Sequence, residues 1–229
     1  NTGAAVTADS TTAPNGQTSA EKVAEDTLNN QHVIGQLATL STGTSYSLST
    51  FVKKGTRSYI WIGFYNPSGV ADKRAWFNLD TGAFGTLDSG LTAGSITALP
   101  NGWYRISVSF TSSASAATHY IRLGNATGDG SVSYQGDVSQ YSYFWGAQVE
   151  TGAFASSYIP TTSASVARNA DVLSYPASGN VIGTVGTAYT EIVSSGTDSV
   201  NNQRMLSIGV NRPLFQKSSA DTLSSYDGT

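Results

Sequence analysis

The chain of 229 residues carries 12 Lys and Arg against 15 Asp and Glu, a formal net charge of −3, and has no cysteine, which excludes disulfides, thiolate catalysis and cysteine-ligated zinc. Charged residues make up only 12% of the chain, with Ser, Thr, Gly and Asn in their place. This disfavours long surface helices and favours strands joined by tight turns. No basic run exceeds Lys53-Lys54 or Lys73-Arg74, which argues against a nucleic-acid partner, and no apolar run approaches about 18 residues, which argues against membrane insertion.

The chain begins Asn1-Thr2-Gly3 without Met or a signal-peptide pattern and reads as a fragment of something longer. Residues 1–16 are turn-rich. Residues 18–29 carry a capping-box pair, Thr18 and Glu21, but the strand period around them favours a short strand or irregular stretch. From His32 onward the period is near two, predicting strands over 32–40, 46–53, 57–65, 74–79, 84–87, 91–99, 103–110, 119–123 and 141–150. In 57–65 the even positions Ser58, Ile60, Ile62 and Phe64 form a core face. In 103–110 Tyr104, Ile106, Val108 and Phe110 do the same. Residues 124–136 read as a long loop, and in 141–150 Trp145, Ala147 and Val149 are expected to face the core.

Strands at this spacing, with hairpin turns and no βαβ rhythm, predict an all-β fold, an antiparallel jelly-roll sandwich over residues 1–160. Residues 161–166 read as a polar linker. The remainder, with candidate strands at 187–193 and 205–210, reads as a second, incomplete β region over 161–229, too small to bury a comfortable core alone.

The stretch Trp145-Gly-Ala-Gln-Val-Glu150, followed by Ser156-Ser-Tyr-Ile-Pro-Thr161, resembles a signature of bacteriophage and prophage tail-fibre proteins, in which it closes a jelly-roll domain. Tyr46 to Arg57, Ala75-Trp-Phe-Asn-Leu-Asp-Thr-Gly82 and Asn101-Gly-Trp-Tyr-Arg-Ile-Ser-Val-Ser-Phe110 fit the same family in the same order. The tail after Arg168 more weakly resembles the start of a laminin-G or concanavalin-like sandwich. The resemblance implies a module like the concave-face carbohydrate-binding jelly rolls, a role in host recognition, a virion or extracellular location, and a homo-oligomeric, often trimeric, fibre. It assigns no binding residue.

The residues themselves suggest one. Sugar rings present flat apolar C–H faces and hydroxyls, so a glycan site needs exposed aromatics beside Arg, Asn or Gln. The odd face of 57–65 supplies Arg57, Tyr59, Trp61 and Tyr65, and the polar side of 74–79 supplies Arg74, Trp76 and Asn78. If the two strands pair, these seven form one surface with Trp61 and Trp76 as platforms. Trp103 is expected to plug an end of the sandwich, and Arg122 either joins the binding face or is solvated.

Catalytic constellations are missing. His32 and His119 are far apart, no nucleophile elbow occurs, and most Asp residues sit in turns. The loop from Asn125 to Gly130 has oxygens that suit a structural calcium, without the spacing of a full calcium loop. The expectation is therefore a non-catalytic module that binds a cell-surface glycan and needs no cofactor. The alternatives are an assembly domain of a multimeric fibre, or an accessory module of a polysaccharide-degrading enzyme.

Overall fold

In a computed structural model, residues 1–66, 70–113, 118–161, 164–168, 203–207, 213–219 and 222–225 are described. The chain forms two compact units, Asn1–Val166 and Ala167–Thr229. Among the described residues there is no α-helix, and none that could cross a membrane.

The first unit contains β1 (Ala4–Thr12), β2 (Thr18–Glu25), β3 (Asn29–Thr39), β4 (Ser45–Lys54), β5 (Tyr59–Asn66), β6 (Val70–Asn78), β7 (Ala83–Leu87), β8 (Leu91–Ala98), β9 (Trp103–Thr111), β10 (Thr118–Ala126), β11 (Ser133–Gln135) and β12 (Tyr141–Thr151). They build two antiparallel sheets, ordered β1-β2-β12-β4-β9-β8 and β11-β3-β10-β5-β6-β7. The pairings β2 with β12, β3 with β10, β4 with β9 and β5 with β6 nest around one another, so strands β2 to β5 alternate between the sheets. That is a jelly roll, the architecture predicted from the strand period.

The two inner faces meet over the alternating residues identified above. Ile60, Ile62, Phe64, Ala75 and Phe77 pack against Leu48, Val52, Ile106, Val108 and Phe110. Phe64 and Phe110 stack with ring centroids 4.2 Å apart. Full burial of such a side chain contributes about 1.5–3 kcal/mol, so this layer carries most of the fold's stability.

Four expectations are corrected, the last of them Trp103. Residues 4–12 are a strand, not turns. β1 is held by its ladder to β2 and stays mostly exposed, so it has no apolar alternation to announce it. Part of the expected loop 124–136 is β-structure, since β10 runs to Ala126 and β11 adds three residues beside β3. Trp145 does not face the core. Along β12 the register with β4 shifts between Trp145 and Gln148, and Gly146 adopts φ +60. This bulge inverts the alternation: Phe144 is the core residue before it and Val149 packs on the core after it. Trp145 therefore lies on the outer face of its sheet, 5.2 Å from the Phe51 ring.

The segment after β12 turns back across that outer face as a strap. Ser47 and Ser109 donate to the carbonyls of Phe154 and Ala153, and Arg105 donates to that of Ser156. Gln148 accepts from the Ile159 amide at 2.8 Å, and Glu150 accepts from the Ser156 amide at 2.8 Å. The Tyr158 ring closes on Trp145 at 4.7 Å. The stretch from Trp145 to Thr161 thus forms the bulge and its strap. The tip of the β1–β2 hairpin covers another part of this face, where Ala13 and Ala20 bury Trp103 and the Trp103 indole donates to the Thr12 carbonyl at 3.1 Å. Trp103 lies beneath this hairpin rather than plugging an end of the sandwich.

In the second unit, β13 (Gln203–Ser207), β14 (Pro213–Ser219) and β15 (Thr222–Ser225) form an antiparallel sheet in that order. The expected strand at 187–193 lies outside the described residues, as does the end of the one expected at 205–210.

Candidate ligand-binding face

β5 and β6 do pair, with Tyr59 opposite Asn78, Trp61 opposite Trp76 and Gly63 opposite Arg74. Six of the seven predicted residues therefore share the outer face of the second sheet, while Arg57 lies before β5 in the β4–β5 connection. They are not equally open. Trp61 is 0% exposed and Trp76 3%, so the expectation that they are stacking platforms is corrected. They form a small outer core with Val33 and Ala126. Gly124, directly opposite Trp61, has no side chain, and the indole lies across the space it leaves. The segment after β10 then returns over the pair. Its Ser131 carbonyl accepts from the Trp76 indole at 2.9 Å, and Val132 packs against the two rings. Asp129 fastens this cover to β7 by accepting from the amide and hydroxyl of Thr86, both at 2.8 Å.

Three more of the seven are committed to structure. Arg57 donates twice to the buried Glu25 carboxylate, at 2.8 Å each. Burial works against the guanidinium charge, but the hydrogen bond and charge of Glu25 outweigh it and leave the Arg57 pKa raised. Asn78 donates to the Tyr59 hydroxyl at 2.9 Å and accepts from the Asp80 amide, holding the β6–β7 turn.

The other half of the face is open, and Arg74 and Tyr65 lie there. Two ladders define it. One runs Gly35–Arg122–Gly63–Arg74 across β3, β10, β5 and β6; the next runs Leu37–Tyr120–Tyr65. Tyr65 and Tyr120 are near-parallel, centroids 6.2 Å apart and 26° between planes, and Tyr120 is 39% exposed. The Arg122 guanidinium sits 4.8 Å from the centre of the Tyr65 ring, and that of Arg74 5.1 Å from Trp61. Asp72 accepts from Arg74, and from Arg122 at 3.4 Å. Tyr120 and Asp72 were missed from sequence, and Arg122 was left undecided. The signal available was the outward phase of Tyr120 and Arg122 in a strand beside β5.

The histidines are structural in position. His32 is buried with its ring nitrogens 2.6 Å from the Gly3 carbonyl and 3.1 Å from that of Tyr134. His119 is buried against Phe64 and Phe110. In the loop considered for calcium, Asn125 points inward and donates to the Val23 carbonyl, while Asp129 holds Thr86, so their oxygens do not converge. No metal-ligand cluster occurs among the described residues.

A second concavity of about 460 Å³ opens between the sheets, where residues 34–38 of β3 face 144–149 of β12. Beside it Leu37 and Val6 are exposed, at 50% and 41%.

The fold and this face define a jelly-roll sandwich with one outer face partly covered by the strap and the β1–β2 hairpin and one partly open aromatic and basic face. No protein-family model matches the chain, and no curated protein sequence matches it.

Proposed function

We propose that the first unit is a non-catalytic carbohydrate-binding module, acting in a phage or prophage fibre that recognises a bacterial surface polysaccharide. The observation that carries this reading is the Tyr65–Tyr120 ring pair, left open on a rigid sheet beside Arg122 and Arg74. Near-parallel phenol rings offer apolar contact to the C–H groups of a pyranose, and flanking guanidinium groups supply donors for its oxygens. The rest of the face is sealed by the cover over Trp61 and Trp76, so on this reading the sugar would rest on the open β3–β10–β5–β6 part of the sheet. A shallow site of this size binds weakly on its own, and a multivalent fibre raises the apparent affinity. The test is a bacterial polysaccharide array probed with the protein displayed as a tetramer. Saturable signal on a subset of glycans is expected, and a blank array would contradict the reading.

The open edge between β3 and β12 favours a second reading, a structural unit of a multimeric fibre. Among the described residues, 34–39 and 145–151 lack a ladder partner on the cleft side, and Leu37 and Val6 lie beside it. Sedimentation equilibrium separates the two: a concentration-independent oligomer that is broken by Leu37→Glu supports assembly, and a monomer argues against it.

A further inference from the structure

We propose that the open face selects acidic sugars, and that Arg74 and Arg122 together hold the carboxylate of a uronic-acid-type unit while its ring rests on Tyr65 and Tyr120. This rests on the carbohydrate-binding reading above and specifies its ligand class.

The argument starts from the ladder Gly35–Arg122–Gly63–Arg74. Each arginine is separated from the next position by a residue without a side chain. At Gly63 a Cβ would collide with the Lys73 carbonyl and sit 3.0 Å from the Arg74 Cα, so that position has no room for one. The two guanidinium groups thus converge on one strip of sheet, clamped at either end by rings: Trp61 under Arg74, and Tyr65 with Tyr120 beside Arg122.

The chemistry of the strip is lopsided. Each guanidinium has five N–H donors and no acceptor. Among the described residues Asp72 is the carboxylate in contact with the two guanidinium groups, and its Oδ2 takes one donor from each. Asp88 is engaged instead by the Arg74 backbone amide at 2.9 Å, so at the guanidinium groups themselves two positive charges face one negative charge. The Arg74 Nε is buried without a partner, as are Asp72 Oδ1 and Trp61 Nε1. A buried donor left unmade costs about 1–3 kcal/mol, a cost that a bound acceptor in this strip would help offset. A neutral hexose presents hydroxyls that must also donate, and this surface offers them few acceptors. A carboxylate only accepts, is planar, and matches the guanidinium fork. The side chains are 13% and 24% exposed for Arg74 and Arg122, so the pair is largely desolvated while still in part reachable.

The experiment measures retention of the protein in affinity electrophoresis through polygalacturonate, alginate and hyaluronan, each compared with its carboxyl-reduced, neutral form. Retention by at least one acidic polymer is expected, lost on carboxyl reduction and weakened as salt rises from about 0.05 to about 0.5 M. Arg122→Lys, which keeps the charge and loses the fork, is expected to weaken retention about tenfold. The salt series on the unaltered protein needs no variant to fold. Equal retention by the acidic and reduced forms, or retention of neutral polymers alone with dependence on Tyr65 and Tyr120, overturns the acidic preference and leaves the carbohydrate reading standing. No retention by any of these polymers overturns the acidic preference, and together with a blank polysaccharide array it overturns the carbohydrate reading as well.

Discussion

Arg57 grips Glu25 through two parallel hydrogen bonds of 2.8 Å, and the Glu25 side chain is fully buried. The Tyr134 hydroxyl adds a third bond at 2.7 Å. Arg57 looked like a ligand contact from sequence, and here it fastens the β4–β5 connection to the end of β2. Removing one partner of a buried pair strands the other charge. Arg57→Ala is therefore expected to lower stability by about 3 kcal/mol in urea unfolding, with glycan retention per folded molecule unchanged.

The same corner makes the fold sensitive to alkali. Burial, then the hydrogen bond to Glu25 and its charge, push the Tyr134 phenol well above its ordinary value near 10. A group whose pKa is raised in the folded state gives stability that is whole below the unfolded value and lost as pH climbs above it. Stability is expected to fall from about pH 10 upward, and Tyr134→Phe should flatten that decline while lowering stability at neutral pH. Thermal melts from about pH 7 to pH 11 check the sign.

Trp61 is a core residue on an outer face. Trp61→Ala should cost about 3–5 kcal/mol, comparable to a large-to-small change in the central layer. Trp76→Phe keeps most of the packing and loses the bond to the Ser131 carbonyl, a loss of about 1 kcal/mol. Hydrogen exchange in 127–132 should quicken in the second variant if that bond anchors the cover.

Glu150 ties the strap to β12 by accepting from the Ser156 amide at 2.8 Å, and is itself held by Gln148 Nε2 of the same strand at 2.8 Å. Glu150→Ala is expected to quicken amide exchange in 152–160 and to lower the melting temperature by a few degrees, with the binding face unaffected. Limited proteolysis within the strap gives an independent reading.

Much of this was legible in the sequence, and the limits are physical. In β5 and β9 the alternation is unbroken, so the core phase of Ile60, Ile62, Ile106 and Val108 follows from the period alone. In β12 the same method put Trp145 inside, because an inserted residue at Gly146 reverses the phase without changing composition. The pairing of β5 with β6 was also readable, and so was the sharing of one face by Trp61, Trp76 and Arg74. What covers a face was not. The carbonyl that seals Trp76 belongs to Ser131, 55 positions away. Tyr120 and Asp72 gained their significance only when β10 and β6 were brought to either side of β5.

The most direct test of the account compares the unaltered protein with Tyr65→Ala/Tyr120→Ala on the same bacterial polysaccharide array. These side chains lie on the open half of the face, so the double variant should keep its melting midpoint within a few degrees. It should lose about tenfold or more in affinity for every glycan that the unaltered protein binds, since two ring contacts at about 0.5–1.5 kcal/mol each amount to that much. Undiminished binding by the folded double variant would contradict the placement of the site on this face.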